Sequence, residues 1–198
     1  MDTLTHALSG ALLARAMPAP AGSVARRVAA GFFACAAPDL DIVVAFVGPV
    51  AYLLNHRGVT HSLLLLPLWA LGVAWVMAKL VREPGGWRAF YVLCAAAIGL
   101  HILCDVITSY GTMLFAPLSD WRAAIGTTFI IDLWFSGIIV AGLIASAIAW
   151  RSRLPAVAAL AVLVGYVGFQ FAQLLGQCFV RDAGQRSMQF IETPDAVK

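Results

Sequence analysis

Charge is scarce in this chain. Asp, Glu, Lys and Arg supply 12% of its 198 residues and hydrophobic residues 62%, with a mean hydropathy of +0.88, which excludes an ordinary soluble globule. The formal charge of +3 is small and its basic residues are spread through short connections, so no nucleic-acid partner is expected. Cysteine is sparse too. Cys35, Cys94, Cys104 and Cys178 lie in apolar stretches without a CxxC pair, which excludes a disulfide framework and a thiolate zinc knuckle and leaves four small buried hydrophobes. No basic stretch precedes an apolar run at the N-terminus, so the first segment is expected to stay in the mature protein.

What the chain has in quantity is long apolar sequence. Thr60–Leu80, Ala89–Ser109, Thr128–Trp150 and Leu154–Phe179 each reach the roughly 20 residues a helix needs to cross a bilayer. Leu4–Met17 and Val28–Val50 are shorter or interrupted, by the Pro/Gly-rich break from Met17 to Gly22 and by Pro38, and read as short or re-entrant helices. The expected fold is all-α: a polytopic membrane helix bundle of about four full transmembrane helices plus those N-terminal pieces. Residues 1–180 form one domain and 181–198 a polar tail outside the bilayer. Arg15, Arg26, Arg27, Lys79, Arg82, Arg88, Arg151 and Arg153 fall in three connections, and placing these on the cytoplasmic side follows the positive-inside tendency. His101 then lies roughly 18 Å above Ala89 at helical rise, in the outer half of the membrane with His61 and Asp132.

Into this apolar background the sequence sets four histidines and several acids, groups that are costly inside a membrane and mark function there. His101 and Asp105, at i and i+4, share a helical face and can give one ion a nitrogen and an oxygen, with Thr108 a turn further on. A hydrogen-bonded pair without an ion is the competing account. His56-Arg57-Gly58-Val59-Thr60-His61-Ser62 can aim both histidines at one site only if it turns at Gly58, and Thr60 is then the expected cap of the next helix. Arg57 is read either as a phosphate contact or as a membrane-interface arginine. Pro38-Asp39-Leu40-Asp41 reads as an extended turn that points two carboxylates inward, with capping as the alternative. Asp132 is placed three residues inside an apolar helix, as a ligand or an orienting acid. Asp2 and Asp120 are expected to be solvated.

Together these strings resemble the bacterial membrane-bound metal-dependent hydrolases, a family described as inner-membrane-associated and LexA-binding. The resemblance rests on Thr5-His6 with Gly10, Pro38 to Asp41, the HRGxTHS string at 56–62, and His101 to Asp105 continuing to Thr108 and Gly111, and spans most of residues 1–135. More distantly, the order of His, Asp, His and HxxxD is similar to the zinc-dependent phospholipase C and single-strand nuclease superfamily. The chain lacks that superfamily's additional downstream histidines, so one or two ions are expected, not three.

The expectation is a hydrolase in the bacterial inner membrane, with its site toward the external face and a lipid or lipid-linked phosphoester as substrate. His6, Asp39, His56, His61, His101 and Asp105 form the ligand pool. Asp41 is a general base or further ligand, Arg57 a phosphate contact, and Asp132 a ligand or orienting acid. Imidazole with carboxylate suits zinc best, with manganese and iron the alternatives. A proton or divalent-metal transporter and a non-catalytic, metal-stabilised regulator are the rival readings.

Overall fold

A computed structural model describes residues 1–19 and 23–192. Its secondary structure is helical, with seven α-helices and no strand among the described residues. Helix α1 (Thr3–Ala16) starts at Asp2, whose carboxylate accepts from the Thr5 backbone N–H at 2.9 Å and from the Thr5 hydroxyl at 2.6 Å. Asp2 is therefore a cap and not a solvated loop acid. Burial pushes its pKa up, but the bonds from Thr5 outweigh that and hold it below the usual carboxylate value.

Helix α1 lies at the centre of the bundle. Thr5, His6, Ala7, Ser9, Gly10, Ala11, Leu12 and Ala14 are buried against α2 (Val24–Ala36), α5 (Tyr91–Val106), α6 (Leu133–Ile148) and α7 (Leu154–Glu192). Gly10 and Gly31 make the α1–α2 crossing close. A Cβ on Gly10 would lie 2.1 Å from the Gly31 carbonyl oxygen and 2.4 Å from the Cys35 Cβ.

Helix α2 runs into a 3₁₀ segment, Ala37–Phe46, at Pro38, so Asp39 and Asp41 are helical and not extended. At three residues per turn their side chains leave the axis about 120° apart, toward different partners. After α3 (Pro49–Asn55) and a 3₁₀ turn at Val59–His61, α4 (Leu66–Leu80) begins later than expected. Pro67 sits in its first turn, where the missing N–H costs nothing, so the helix starts there and Thr60 does not cap it.

Two helical stretches are long and apolar enough to cross a membrane, Val24–Phe46 with 23 residues and Leu154–Arg181 with 28. A third span is available if the pair Pro49–His61 and Leu66–Leu80, bent by 84°, counts as one. Four full spans is more than this. Helices α5 and α6 have 16 residues each, because α5 ends at Val106 and Asp132 caps α6 from outside. Asp132 is thus the N-cap and not an interior residue. Helix α7 continues to Glu192 through the segment read as a polar tail, and 193–198 lie outside the described residues.

The three basic connections meet at one end of the bundle. The Arg15 guanidinium donates to the carbonyls of Ser146 at 3.0 Å, Trp150 at 2.6 Å and Ser152 at 3.1 Å, at the α6 C-terminus where a cation is favoured. Arg26 pairs with Glu83 at 2.9 Å, and Arg27 donates to the Ala89 carbonyl at 3.3 Å. His6 stands roughly 14 Å along α1 from that end. His101, in the last turns of α5, lies on the same far side.

Candidate metal centre

Five separate pieces of backbone deliver the titratable groups: α1, the 3₁₀ segment after α2, the 56–62 string, α5, and the irregular connection 107–132. The connection is stitched to the string by Met113 N–H to the Arg57 carbonyl at 2.9 Å, Leu63 N–H to the Leu114 carbonyl at 2.9 Å, and the Ser62 hydroxyl to the Ala116 carbonyl at 2.6 Å. Arg122 donates to the carbonyls of Leu54 at 3.2 Å and His56 at 3.1 Å. Within the string Arg57 adopts a left-handed φ of 58°, uncommon for a residue with a side chain. The chain turns at Gly58 as expected, where a Cβ would sit 2.7 Å from the Asn55 carbonyl oxygen.

Four donor atoms converge: Asp39 Oδ1, His61 Nε2, His101 Nε2 and Asp105 Oδ2, all within 4.8 Å of one another. The two Nε2 atoms are 2.9 Å apart. Asp105 Oδ2 is 3.3 Å from His61 Nε2 and 3.4 Å from His101 Nε2, and Asp39 Oδ1 is 3.7 and 3.5 Å from the same pair. A tetrahedron whose corners lie at zinc–ligand distance from its centre has edges of about 3.3 Å. The observed separations bracket that value.

The surrounding hydrogen bonds accommodate the tautomers that a metal requires. His101 Nδ1–H donates to the Cys35 carbonyl at 2.6 Å, which leaves its Nε2 unprotonated in the neutral ring. The Thr60 hydroxyl donates to Asp41 Oδ2 at 3.4 Å and accepts His61 Nδ1–H at 2.9 Å, so His61 Nε2 is bare as well. Two lone pairs then face each other between two carboxylates. Of the four donor atoms, Asp105 Oδ2 is buried without a hydrogen-bond partner. Such a set is repulsive with nothing inside it and complementary to a divalent cation, so these residues fit a metal.

Asp105 is the hub. Its Oδ1 accepts from the N-terminal ammonium of Met1, from His6 Nε2 at 3.1 Å and from Arg57 at 2.9 Å, which leaves Oδ2 for the centre. His6 therefore holds Asp105, and its ring stacks on His101 with centroids 3.7 Å apart. It also belongs to a second close group with Cys35 and His101. Arg57 is 3% exposed, which removes the interface-arginine reading; its other nitrogen donates to Thr108 Oγ1 at 2.9 Å. Thr108 in turn donates to the Asp105 backbone carbonyl at 2.7 Å, not to its carboxylate.

Asp41 and His56 form an adjoining pair at 3.0 Å, with the Arg57 N–H donating to Asp41 Oδ2 at 3.0 Å. His56 is outside the four-atom set, and the rings of His56 and His61 are 6.1 Å apart. Asp132 is not brought to the centre. Its carboxylate accepts from the Phe135 N–H at 2.9 Å, Tyr166 at 2.9 Å and Gln170 at 3.2 Å, a network between α6 and α7. Sequence reasoning missed the Cys35 carbonyl, which leaves no trace in a sequence. It also missed Tyr110, whose ring centroid lies 5.1 Å from the Arg57 guanidinium carbon and 5.5 Å from that of His56. An aromatic two residues beyond Thr108 was the available signal.

Known proteins resemble the chain over most of its length. The chain is 27% identical over 190 residues to the uncharacterized protein YfhP of Bacillus subtilis, covering 91% of this chain and 56% of that protein. It is 31% identical over 109 residues to the inner membrane protein YdjM of Escherichia coli, covering 48% of this chain and 50% of that protein. The chain spans about half the length of the curated relatives it matches. No solved structure matches it. The family described as YdjM inner membrane protein matches residues 1–176, from the α1 histidine through the Asp132 network, and agrees with the apolar helices in placing the chain in the inner membrane. By that match and that architecture, the chain belongs to the YdjM inner membrane protein family.

Proposed function

We propose that the chain is a membrane-embedded, metal-dependent hydrolase that cleaves a phosphoester of a lipid or membrane-proximal substrate. The observation that carries the reading is the convergence of two imidazole Nε2 atoms and two carboxylate oxygens at tetrahedral-edge distances. Asp39, His61, His101 and Asp105 hold one ion, with zinc preferred over manganese or iron. When bound, a divalent cation acidifies a coordinated water and polarises a phosphoryl oxygen.

The protein's own groups do the rest. The Met1 ammonium and Arg57 neutralise Asp105, His6 helps to aim it, and Thr60 and the Cys35 carbonyl hold the two imidazoles in register. Asp41 engages His56 Nδ1, so Nε2 is the atom that takes up and returns a proton. Asp39 is the one of the four that is partly exposed, so a substrate would reach the centre on its side. In this reading α4, α5, α6 and α7 are the four full spans, and the centre, far from the basic end, faces the external side.

Metal analysis of the purified protein, followed by phosphate release from vesicles containing phosphatidic acid, tests the proposal. Stoichiometric metal and release, both lost in Asp105→Ala, are expected. A metal-free wild-type protein, or a variant that keeps both properties, overturns it. One observation favours a second reading, a metal-stabilised membrane component without turnover: four protein donors fill a tetrahedron and leave no open position. Tight metal with no release from any phosphorylated lipid would select it.

A further inference from the structure

A cavity of about 340 Å³ lies between the 3₁₀ segment 37–46 and α4, with Ile98 of α5 on its floor. Its walls are apolar, from Leu40, Val43, Val44, Trp69 and Val73 among others, except at one end, where Asp41 and Thr60 line it. Those two residues belong to the centre: Asp41 holds His56 and Thr60 holds His61. The rim merges with the exposed apolar face of the protein, since Leu40, Val43 and Trp69 are exposed. Leu40 and Val43 lie in Val24–Phe46, a segment apolar and long enough to cross the membrane. With that segment set in the bilayer, a cavity continuous with the apolar face opens onto hydrocarbon and not onto water.

The wall is also fixed. Trp69 Nε1 donates to the Val59 carbonyl at 3.0 Å, which ties the indole to the turn that carries His61. The volume is at the small end of ligand pockets. An apolar cavity with a polar end at the catalytic groups suits a molecule with one hydrocarbon chain and a polar head.

We infer that this cavity seats a single hydrocarbon chain of the substrate, entering sideways from the bilayer between the 37–46 segment and α4, with the headgroup delivered past Asp41 and Thr60 to the metal centre. The inference rests on the reading of the site as a lipid phosphoesterase and adds where the substrate's chain lies. It predicts discrimination by chain: a phosphomonoester with one long chain is a better substrate than a water-soluble one of the same headgroup chemistry. It also predicts that cavity bulk matters more than charge.

The test uses the full chain in lipid nanodiscs and a lysophosphatidic acid whose acyl chain carries a diazirine. Photolysis and peptide mapping should place adducts on residues 37–44 and 69–73, at least tenfold above the exposed apolar face of α7. Val73→Trp, which fills the cavity, should cut those adducts at least tenfold while leaving bound metal unchanged; Val43→Trp is the second variant if the first does not fold. Adducts spread evenly around the apolar face, or unchanged in the folded variants, overturn the inference. Phosphate release is measured alongside. Localised adducts without release would sink the hydrolase reading and leave a lipid-binding cavity, whereas release with scattered adducts would sink the cavity and leave the hydrolase.

Discussion

Asp105 and Asp132 are both buried acids at the end of an apolar helix, yet the molecule uses them in opposite ways. Asp132 is fully occupied by neutral donors: the Phe135 N–H, the Tyr166 hydroxyl and the Gln170 amide. Asp105 has two positive partners and His6 crowded on one oxygen, while the other faces two imidazoles and has no hydrogen bond. The first carboxylate joins α6 to α7 and has no capacity left. The second has been left with an unspent lone pair where His61 and His101 converge. Burial alone therefore does not mark a candidate ligand; what distinguishes one is an oxygen the fold declines to satisfy.

Substitution at Asp105 should have the largest effect. Asp105→Ala strands Arg57 and the Met1 ammonium without their anion and removes one corner of the donor set, and breaking a buried ion pair in this way costs roughly 3–5 kcal/mol. A purified variant should retain no metal and should melt well below the wild type in a detergent thermal scan. Asp105→Asn, which keeps the shape, separates the two effects by losing metal with a smaller fall in Tm.

Next comes the crossing that brings α1 to the centre. Gly10→Ala drives a methyl into the Gly31 carbonyl at 2.1 Å, so the helices must part. Overpacking of this kind costs about 1–3 kcal/mol. Because His6 and Cys35 ride on the two parted helices, metal retention should fall with stability, measured by titration against a chelator. The equivalent small-residue position in the other half, Gly142 against Ala159, should lower Tm on substitution without moving metal affinity.

Thr60→Val keeps size but removes the acceptor that sets the His61 tautomer. Loss of such an orienting partner weakens metal binding by about 10–100-fold. Competition with a chelator reads this directly, and an unchanged affinity would show that Asp41, 3.8 Å from His61 Nδ1, orients the ring instead.

The same contrast explains what the sequence disclosed. His61, His101, Asp39 and Asp105 were legible because ionisable groups stand out in an apolar chain and i,i+4 spacing fixes a shared face. Their grouping with Arg57 needed only the turn at Gly58. Long-range geometry was not legible: the Cys35 carbonyl on His101, the turn of Asp41 toward His56, and the stitching of the 107–132 connection depend on which helices become neighbours. Helix ends were misplaced where a local residue overrides hydropathy. Pro67 moved the start of α4, and Asp132 moved the start of α6 to Leu133. Hydropathy counts apolar residues and does not register a cap, so Asp132 was read inside a helix and into a site it does not join.

Asp132→Asn supplies the smallest expected effect and the sharpest control. The amide keeps its carbonyl oxygen for the Phe135 N–H, and the Tyr166 hydroxyl can turn to accept from the new NH₂, but that NH₂ also meets the Gln170 amide nitrogen, which cannot accept it, so one hydrogen bond is lost at about 1 kcal/mol. The α6–α7 contact should loosen, with a modest fall in Tm. Bound metal and the response to chelator should stay at wild-type values, since no hydrogen bond joins Asp132 to the four donor atoms. If metal affinity falls by tenfold or more instead, the two carboxylates are coupled through α1, which packs on both α5 and α6, and Asp132 would then set the position of the helix that carries His6.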